Sequence, residues 1–225
     1  MQPEQSFQKE FRYVILYASK YLHAWKVIRM EQSAQETRDK ILTAAISLMK
    51  ANGYKGMTTR SIAKAAGVNE STIFRHFVNK QGILDALVDR YSYVHGIHQV
   101  FDSLTGELQS DLIRVAEAYQ EFMKHNGEMV LIGLRETGQF PELDEKTAAI
   151  PIQLKKLLVD YLTRMHEKGV IRRTDFEASA MTFIWMNLGY FISASLYGQK
   201  ITLVKVEDFL QSGVRTFAQG LLEGH

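Results

Sequence analysis

The sequence predicts an all-α fold, on three observations. Apolar residues recur at three- and four-residue spacing through most of the chain, and no stretch of two-residue alternation is long enough for a sheet. Only three prolines, Pro3, Pro141 and Pro151, stand in 225 residues, so helices can run long. Glycines fall between the periodic segments, where chain reversal costs least.

The elements follow in order. Ile41, Ala44, Ala45, Leu48 and Met49 mark one face of a first helix that closes at Asn52-Gly53. Short helices are expected over roughly 59–66, ended by Gly67, and about 70–77. A fourth starts after Asn79 and continues through Leu84, Leu87, Val88 and Tyr91 towards the high nineties. Further helices are expected over about 107–125, 127–137, 141–168, 175–197 and 206–223, with Gly106, Gly127, Gly138, Gly169 and Gly198 at or near their boundaries. Pro151 either opens a new helix or kinks a longer one.

Composition narrows the function. Apolar residues make up 46% and charged residues 23%, which is the balance of a soluble globular chain with room for a small module and a companion domain. Cysteine is absent, which excludes disulfides, thiolate metal sites and cysteine nucleophiles and suits a reducing cytoplasm. The apolar runs are short for a membrane span, so no membrane partner is expected. The net charge of +2 is unevenly spread: residues 1–30 and 31–92 each carry +3, and residues 93–225 carry −4. A basic front on an acidic body is the distribution that phosphate binding by one module requires.

Residues 1–30 form an extension with a helix-like stripe, Phe7, Phe11, Val14, Ala18, Leu22 and Trp25, among basic residues. They read either as an amphipathic arm for DNA, a membrane surface or a partner, or as a leader ahead of a natural start at Met30.

The informative block runs from Met57 to Lys80. Thr59 is expected to cap the second helix, with Ile62, Ala63 and Ala66 inward and Ala63 small enough for a close crossing. Gly67 allows a left-handed turn, Val68 plugs the core, and Asn69 caps the next helix. Ile73 and Phe77 share that helix's inner face, leaving Glu70, Ser71, Thr72, Arg75 and His76 on other faces. Helix, glycine turn and short helix with polar outer positions is the grammar of a helix-turn-helix, whose second helix enters the major groove.

From Thr37 to Leu87 the chain closely resembles the N-terminal domain of TetR-type repressors. The resemblance is carried by Gly53-Tyr54, by the segment Thr58 to Val68, and by Phe74-Arg75-His76-Phe77. It implies a dimer that grips a pseudo-palindromic operator in double-stranded DNA and is released by a small-molecule effector. The helix-turn-helix domain would cover 31–92, joined by a long helix to a ligand-binding and dimerisation domain over 93–225. Thr59 and Arg60 would contact the groove edge, Thr72 and Arg75 would face DNA with His76 beside them, and Lys80 would hold a phosphate at the start of the fourth helix. Glu70, Ser71 and Phe74 complete the expected DNA face. Phe74 stands where the family usually has tyrosine, which removes a hydroxyl contact. Gly82 replaces the usual acidic residue, so no reciprocal capping box with Asn79 can form. Arg60 is the candidate base reader, since a guanidinium can contact guanine O6 and N7 together.

For the C-terminal part the resemblance implies an apolar cavity. Tyr119, Phe122, Met123, Arg135, Trp185 and Met186 are the candidate ligand residues, with Thr182 and Asn187 as possible orienting groups. Small residues over 175–197 (Ala178, Ala180, Gly189, Ser193, Ala194) and the stripe Val206, Phe209, Leu210, Val214, Phe217, Leu221 are candidates for the dimer seam. No catalytic signature and no cofactor motif is present, and His95 with His98 makes a poor metal site without a third ligand. The competing function is a DNA-binding protein that needs no ligand.

Overall fold

The computed structural model describes the backbone of residues 3–91 and 94–222 and the side chains of residues 25–90 and 96–222. It is all-α. Helix α1 (Pro3–Gly56) bends at Gly53 (φ 68°, ψ 178°), and α2 (Thr59–Ala66), α3 (Glu70–Phe77) and α4 (Lys80–Tyr91) follow. Then come α5 (Val94–Asp102), α6 (Leu108–Glu136), α7 (Pro141–Glu167) and α8 (Phe176–Tyr197). A last helical stretch consists of α9 (Val206–Asp208), a π-helical segment (Phe209–Val214) and α10 (Arg215–Leu221). Its end is tied back by a single antiparallel bridge between Ile171 and Leu222.

The expected continuation of the fourth helix towards the high nineties passes through 92 and 93, which lie outside the described residues; Lys80–Tyr91 and Val94–Asp102 are helical on either side. Other expectations are corrected. Gly127 does not break α6, which runs straight through it. A Cβ there would stand 2.7 Å from the Phe191 ring of α8, so the glycine serves close helix approach. Pro151 lies inside α7, while Pro141 occupies that helix's first turn, where its missing N–H costs nothing. The extension is helical from Pro3 and continuous with α1; the side chains of Phe7, Phe11, Val14, Ala18 and Leu22 lie outside those described, and Trp25, Ile28 and Met30 are exposed.

Two apolar cores form. The first, in what we call the head, gathers Ile41, Met49, Tyr54, Ile62, Ile73, Leu84 and Leu87 from α1–α4, and also takes in Ile132 of α6 and Leu143 of α7. The second, in the body, gathers Leu112, Val115, Leu158, Leu162, Phe183 and Val214 from α6–α8 and the last stretch. Val206, Phe209, Leu210, Val214, Phe217 and Leu221, read from sequence as a candidate dimer seam, all pack on this second core within the chain, Val206, Phe209 and Phe217 only partly buried. The body's one fully buried carboxylate among the described residues, Asp111, accepts from Thr105 N, Gly106 N and the Tyr161 hydroxyl at 2.7–2.9 Å. Those bonds pin the loop before α6 to α7, which satisfies a buried charge that would otherwise be very costly.

Candidate functional site

The first candidate surface is the face of α2 and α3. Thr58 caps α2: its hydroxyl accepts from Ser61 N at 3.1 Å, and Ser61 Oγ accepts from Thr58 N at 2.9 Å. The cap is therefore Thr58, not Thr59, and its reciprocal bonds use two of the helix's free N–H groups. Thr59 is released for another bond, donating to Glu70 Oε1 at 2.7 Å across the two helices. Gly67 takes the left-handed turn (φ 68°), and the Val68 N–H returns to Ala63 O at 3.0 Å. Asn69 stands at the start of α3 but makes no side-chain cap bond. Asn79 caps α4 by accepting from Gly82 N at 2.9 Å, with no partner returning the bond.

Ile73 and Phe77 are buried beneath α3, so its outer positions are held at fixed angles. Arg60, Glu70, Ser71, Phe74 and Arg75 are exposed, Phe74 at 48%, while Thr72 and His76 are half-buried. Thr72 and Arg75 share an open groove with Thr37 of α1 and Lys64 of α2, two residues not singled out from sequence. Arg38 reaches over the Phe77 ring at 4.5 Å and towards His76 O. Burial, with Arg75 and Arg38 nearby, holds the His76 imidazole below its usual pKa.

Lys80 differs from its expected role. Its ammonium turns inward, donating to Tyr54 O at 2.8 Å and lying 3.7 Å from the Tyr54 ring centroid, and burial lowers its pKa. It fastens the start of α4 to the bend at the end of α1. Beside it Val78 joins α3 to α4 with φ 65° and ψ −49°, a strained turn for a β-branched residue, closed by Asn79 N donating to Phe77 O.

The second candidate is a half-open cavity of about 460 Å³ between α4, α6, α7 and α8. Tyr119, Phe122 and Met123 line it, as the sequence indicated. Arg135, Trp185 and Met186 do not. Arg135 instead donates to Met49 O at 3.0 Å and to Glu136 Oε1 at 3.1 Å, Trp185 is 61% exposed on the outer face of α8, and Met186 packs on the core. Asn187 is buried and bonded by Gln120, and Thr182 donates to Ala178 O, so neither faces the cavity as an orienting group. The wall is completed by Val88 of α4, Met129, Val130 and Gly133 of α6, Ile150 of α7 and Leu188 of α8. No pattern in the sequence distinguishes these from ordinary core, because a helix face has the same period against a void as against a neighbour.

Head and body meet at the bend in α1. Glu136, at the end of α6, accepts from Tyr54 N at 3.3 Å. Phe140 packs edge-on against the Tyr54 ring at 4.8 Å, and burial with a bond to Glu142 raises the Tyr54 pKa to about 12. Lys146 of α7 pairs with Asp85 of α4 at 3.0 Å. Among the described residues no cluster of His, Asp or Glu could hold a metal; the His95 side chain lies outside them, and His98 contacts Gln153. Nor is any described helix long and apolar enough to cross a membrane.

Comparison with known proteins follows this division. The family model for bacterial regulatory proteins of the tetR family matches residues 41–87, and that for the C-terminal domain of AefR-like transcriptional repressors matches residues 110–220. The HTH-type transcriptional regulator YvkB of Bacillus subtilis is 34% identical over 185 residues, 82% of this chain and 97% of that protein. The ketosteroid transcriptional regulator KstR2 of Mycobacterium tuberculosis superposes with a TM-score of 0.61 at 20% identity, over 83% of this chain and 95% of its own. The fatty acid degradation regulator FadR of Bacillus halodurans gives 0.60 at 20% identity, over 81% and 98%. At such identities the two solved structures share the fold.

Proposed function

This chain belongs to the TetR family of bacterial regulatory proteins, and from that premise we propose that it is a dimeric repressor released from its operator by a small apolar ligand. Residues 31–92 serve as the DNA-binding module and 93–225 as the ligand-binding and dimerisation module. Arg60 reads a base, Thr72 and Arg75 meet the groove from α3, and Lys64 and Thr37 meet the backbone beside them. Thr59 and Glu70 hold each other and orient the two helices.

The observation that carries the reading is that one piece of chain does two jobs. Residues 133–147 form a wall of the cavity through Gly133, Leu134, Thr137 and Thr147. The same piece bears Arg135, Glu136 and Phe140, which grip Met49 and Tyr54 of the head. Val88 adds α4 directly to the cavity wall. A ligand that spreads these walls therefore shifts α4 and the bend of α1 together. The recognition helices of a dimer must sit about 34–36 Å apart, or a multiple of it, to read one face of DNA, so a small tilt is enough to spoil binding. The names of the two fold relatives refer to ketosteroid and fatty acid, molecules that are mostly hydrocarbon, which supports a largely apolar effector here.

The dimer seam in this reading is the outer face of α8, where Trp185 and Leu196 are exposed and Ala178, Gly189 and Ala194 allow close approach. Trp185→Glu should give a monomer by analytical ultracentrifugation with its helicity intact.

The test has two steps. Protein-bound genomic fragments are sequenced to recover the operator, which should be a pseudo-palindrome. Affinity for the apolar dye N-phenyl-1-naphthylamine is then measured with and without saturating operator. Linkage requires operator to weaken dye binding by the same factor by which dye weakens operator binding. Glu136→Ala should shrink that factor towards one. Equal dye affinities in the wild type would leave a ligand-independent DNA-binding protein.

A further inference from the structure

We infer that the effector is an uncharged lipophilic molecule of on the order of fifteen non-hydrogen atoms, with one hydrogen-bonding group received by the Tyr119 hydroxyl. This rests on the reading of the cavity as the effector site and adds the ligand's charge, size and anchor. The size follows from the 460 Å³ cavity at about 30 Å³ per water-sized group.

The charge follows from what the wall has already spent. Asn126 donates to Phe122 O at 2.9 Å, Thr137 to Gly133 O at 2.8 Å, and Thr147 to Leu143 O at 3.0 Å. Asp144 accepts from Gly138 N at 3.0 Å, and the Lys146 ammonium is held by Asp85. Arg135, the residue that would have greeted an anion, is bound to Met49 O and Glu136 outside the cavity. Of the charged residues, Asp144 and Lys146 line the cavity, and the Lys146 ammonium is already acted on by Asp85, Asp89 and Glu145. Its charge is thus answered by the protein's own carboxylates before an anion arrives. Deeper in, Phe122, Met123, Val130, Ile184 and Leu188 supply no carboxylate for a cation. An ion of either sign entering that depth would lose its hydration without a partner.

Tyr119 is the exception in the wall. Its side chain is buried, it lines the cavity, and its hydroxyl has no hydrogen bond among the described residues. Burial raises its pKa, so the hydroxyl stays protonated and can donate or accept.

The experiment uses the full chain with N-phenyl-1-naphthylamine as fluorescent reporter and three ten-carbon competitors: 1-decanol, decanoate and decylammonium. The dye should brighten on the wild type and not on Val130→Trp or Leu188→Trp, two independent fillings of the cavity, each checked for helicity by circular dichroism. Decanol should displace the dye at a concentration roughly tenfold or more below that of either ion. Tyr119→Phe should weaken decanol about 2- to 10-fold and leave the dye unchanged. If decanoate or decylammonium matches decanol while filling still abolishes dye binding, the uncharged class is overturned and the cavity remains a ligand site. A win for decanoate would make Lys146 the recognising group. An unaltered decanol affinity in Tyr119→Phe overturns the hydroxyl's role. Equal dye signal from the filled variants and the wild type overturns the cavity as effector site, and with it the induction reading.

Discussion

Head and body pack the same residue types to different ends. In the head, α2 and α3 are eight residues each and meet α1 and α4 over Ile41, Ile62, Ile73 and Leu84, all fully buried. In the body, α6 and α7 run for 29 and 27 residues, close over Leu112 and Leu158, and part further along to leave the cavity. Helices of two turns are not stable alone, so every core contact and cap in the head is needed to present α3 at a fixed angle. Long helices braced over part of their length can tolerate a gap elsewhere. Rigid presentation and an adaptable pocket thus come from helix length as much as from side-chain chemistry.

The largest test of this contrast is truncation in each core. Ile73→Ala should lower stability by about 2–5 kcal/mol in urea unfolding, while Leu188→Ala, whose neighbours already face a void, should cost about 1 kcal/mol or less. Equal losses would mean that the cavity closes up in solution.

Next comes the DNA face against the joint behind it. Arg60→Ala should cost about 1–3 kcal/mol of operator affinity and relax preference at one base position, read by competition against substituted operators. Lys80→Ala, by contrast, should leave the slope of log affinity against log salt unchanged, because its ammonium sits on Tyr54 O. A slope smaller by about one would place Lys80 on a phosphate after all.

A smaller effect is alkaline. Tyr54 has a folded pKa of about 12 against about 10 unfolded, with burial the main cause. Between those values the unfolded chain has lost this proton and the folded chain keeps it. The stabilisation is therefore complete below about pH 10 and falls as pH rises towards 12, by about 1.4 kcal/mol per unit. Tyr54→Phe should remove that share of the slope from urea midpoints measured across this window, leaving what Tyr119 and Tyr161 of the body contribute, both also raised by burial.

The smallest is at the turn. Val78→Gly relieves the strained φ and gives up some backbone entropy, for a net gain of about 1 kcal/mol in thermal unfolding. A loss instead would show that the exposed valine side chain, 75% accessible, makes up for its strain.

Helix type and order were readable from sequence because periodicity, caps and glycine turns act within four residues. That range placed α2, α3 and the start of α4, and it grouped the exposed face from Arg60 to Arg75. It also yielded Tyr119, Phe122 and Met123 in the cavity wall, since α6 presents them on one inward face. Tertiary structure decided the rest. The inward turn of Lys80 and the grip of Glu136 on Tyr54 depend on partners 26 and 82 residues away, and the exposure of Trp185 and the gap beside Leu188 depend on how distant helices pack. Local pattern records that a side chain points off a helix face; only the packing of distant helices decides whether it meets water, a neighbour or an empty space.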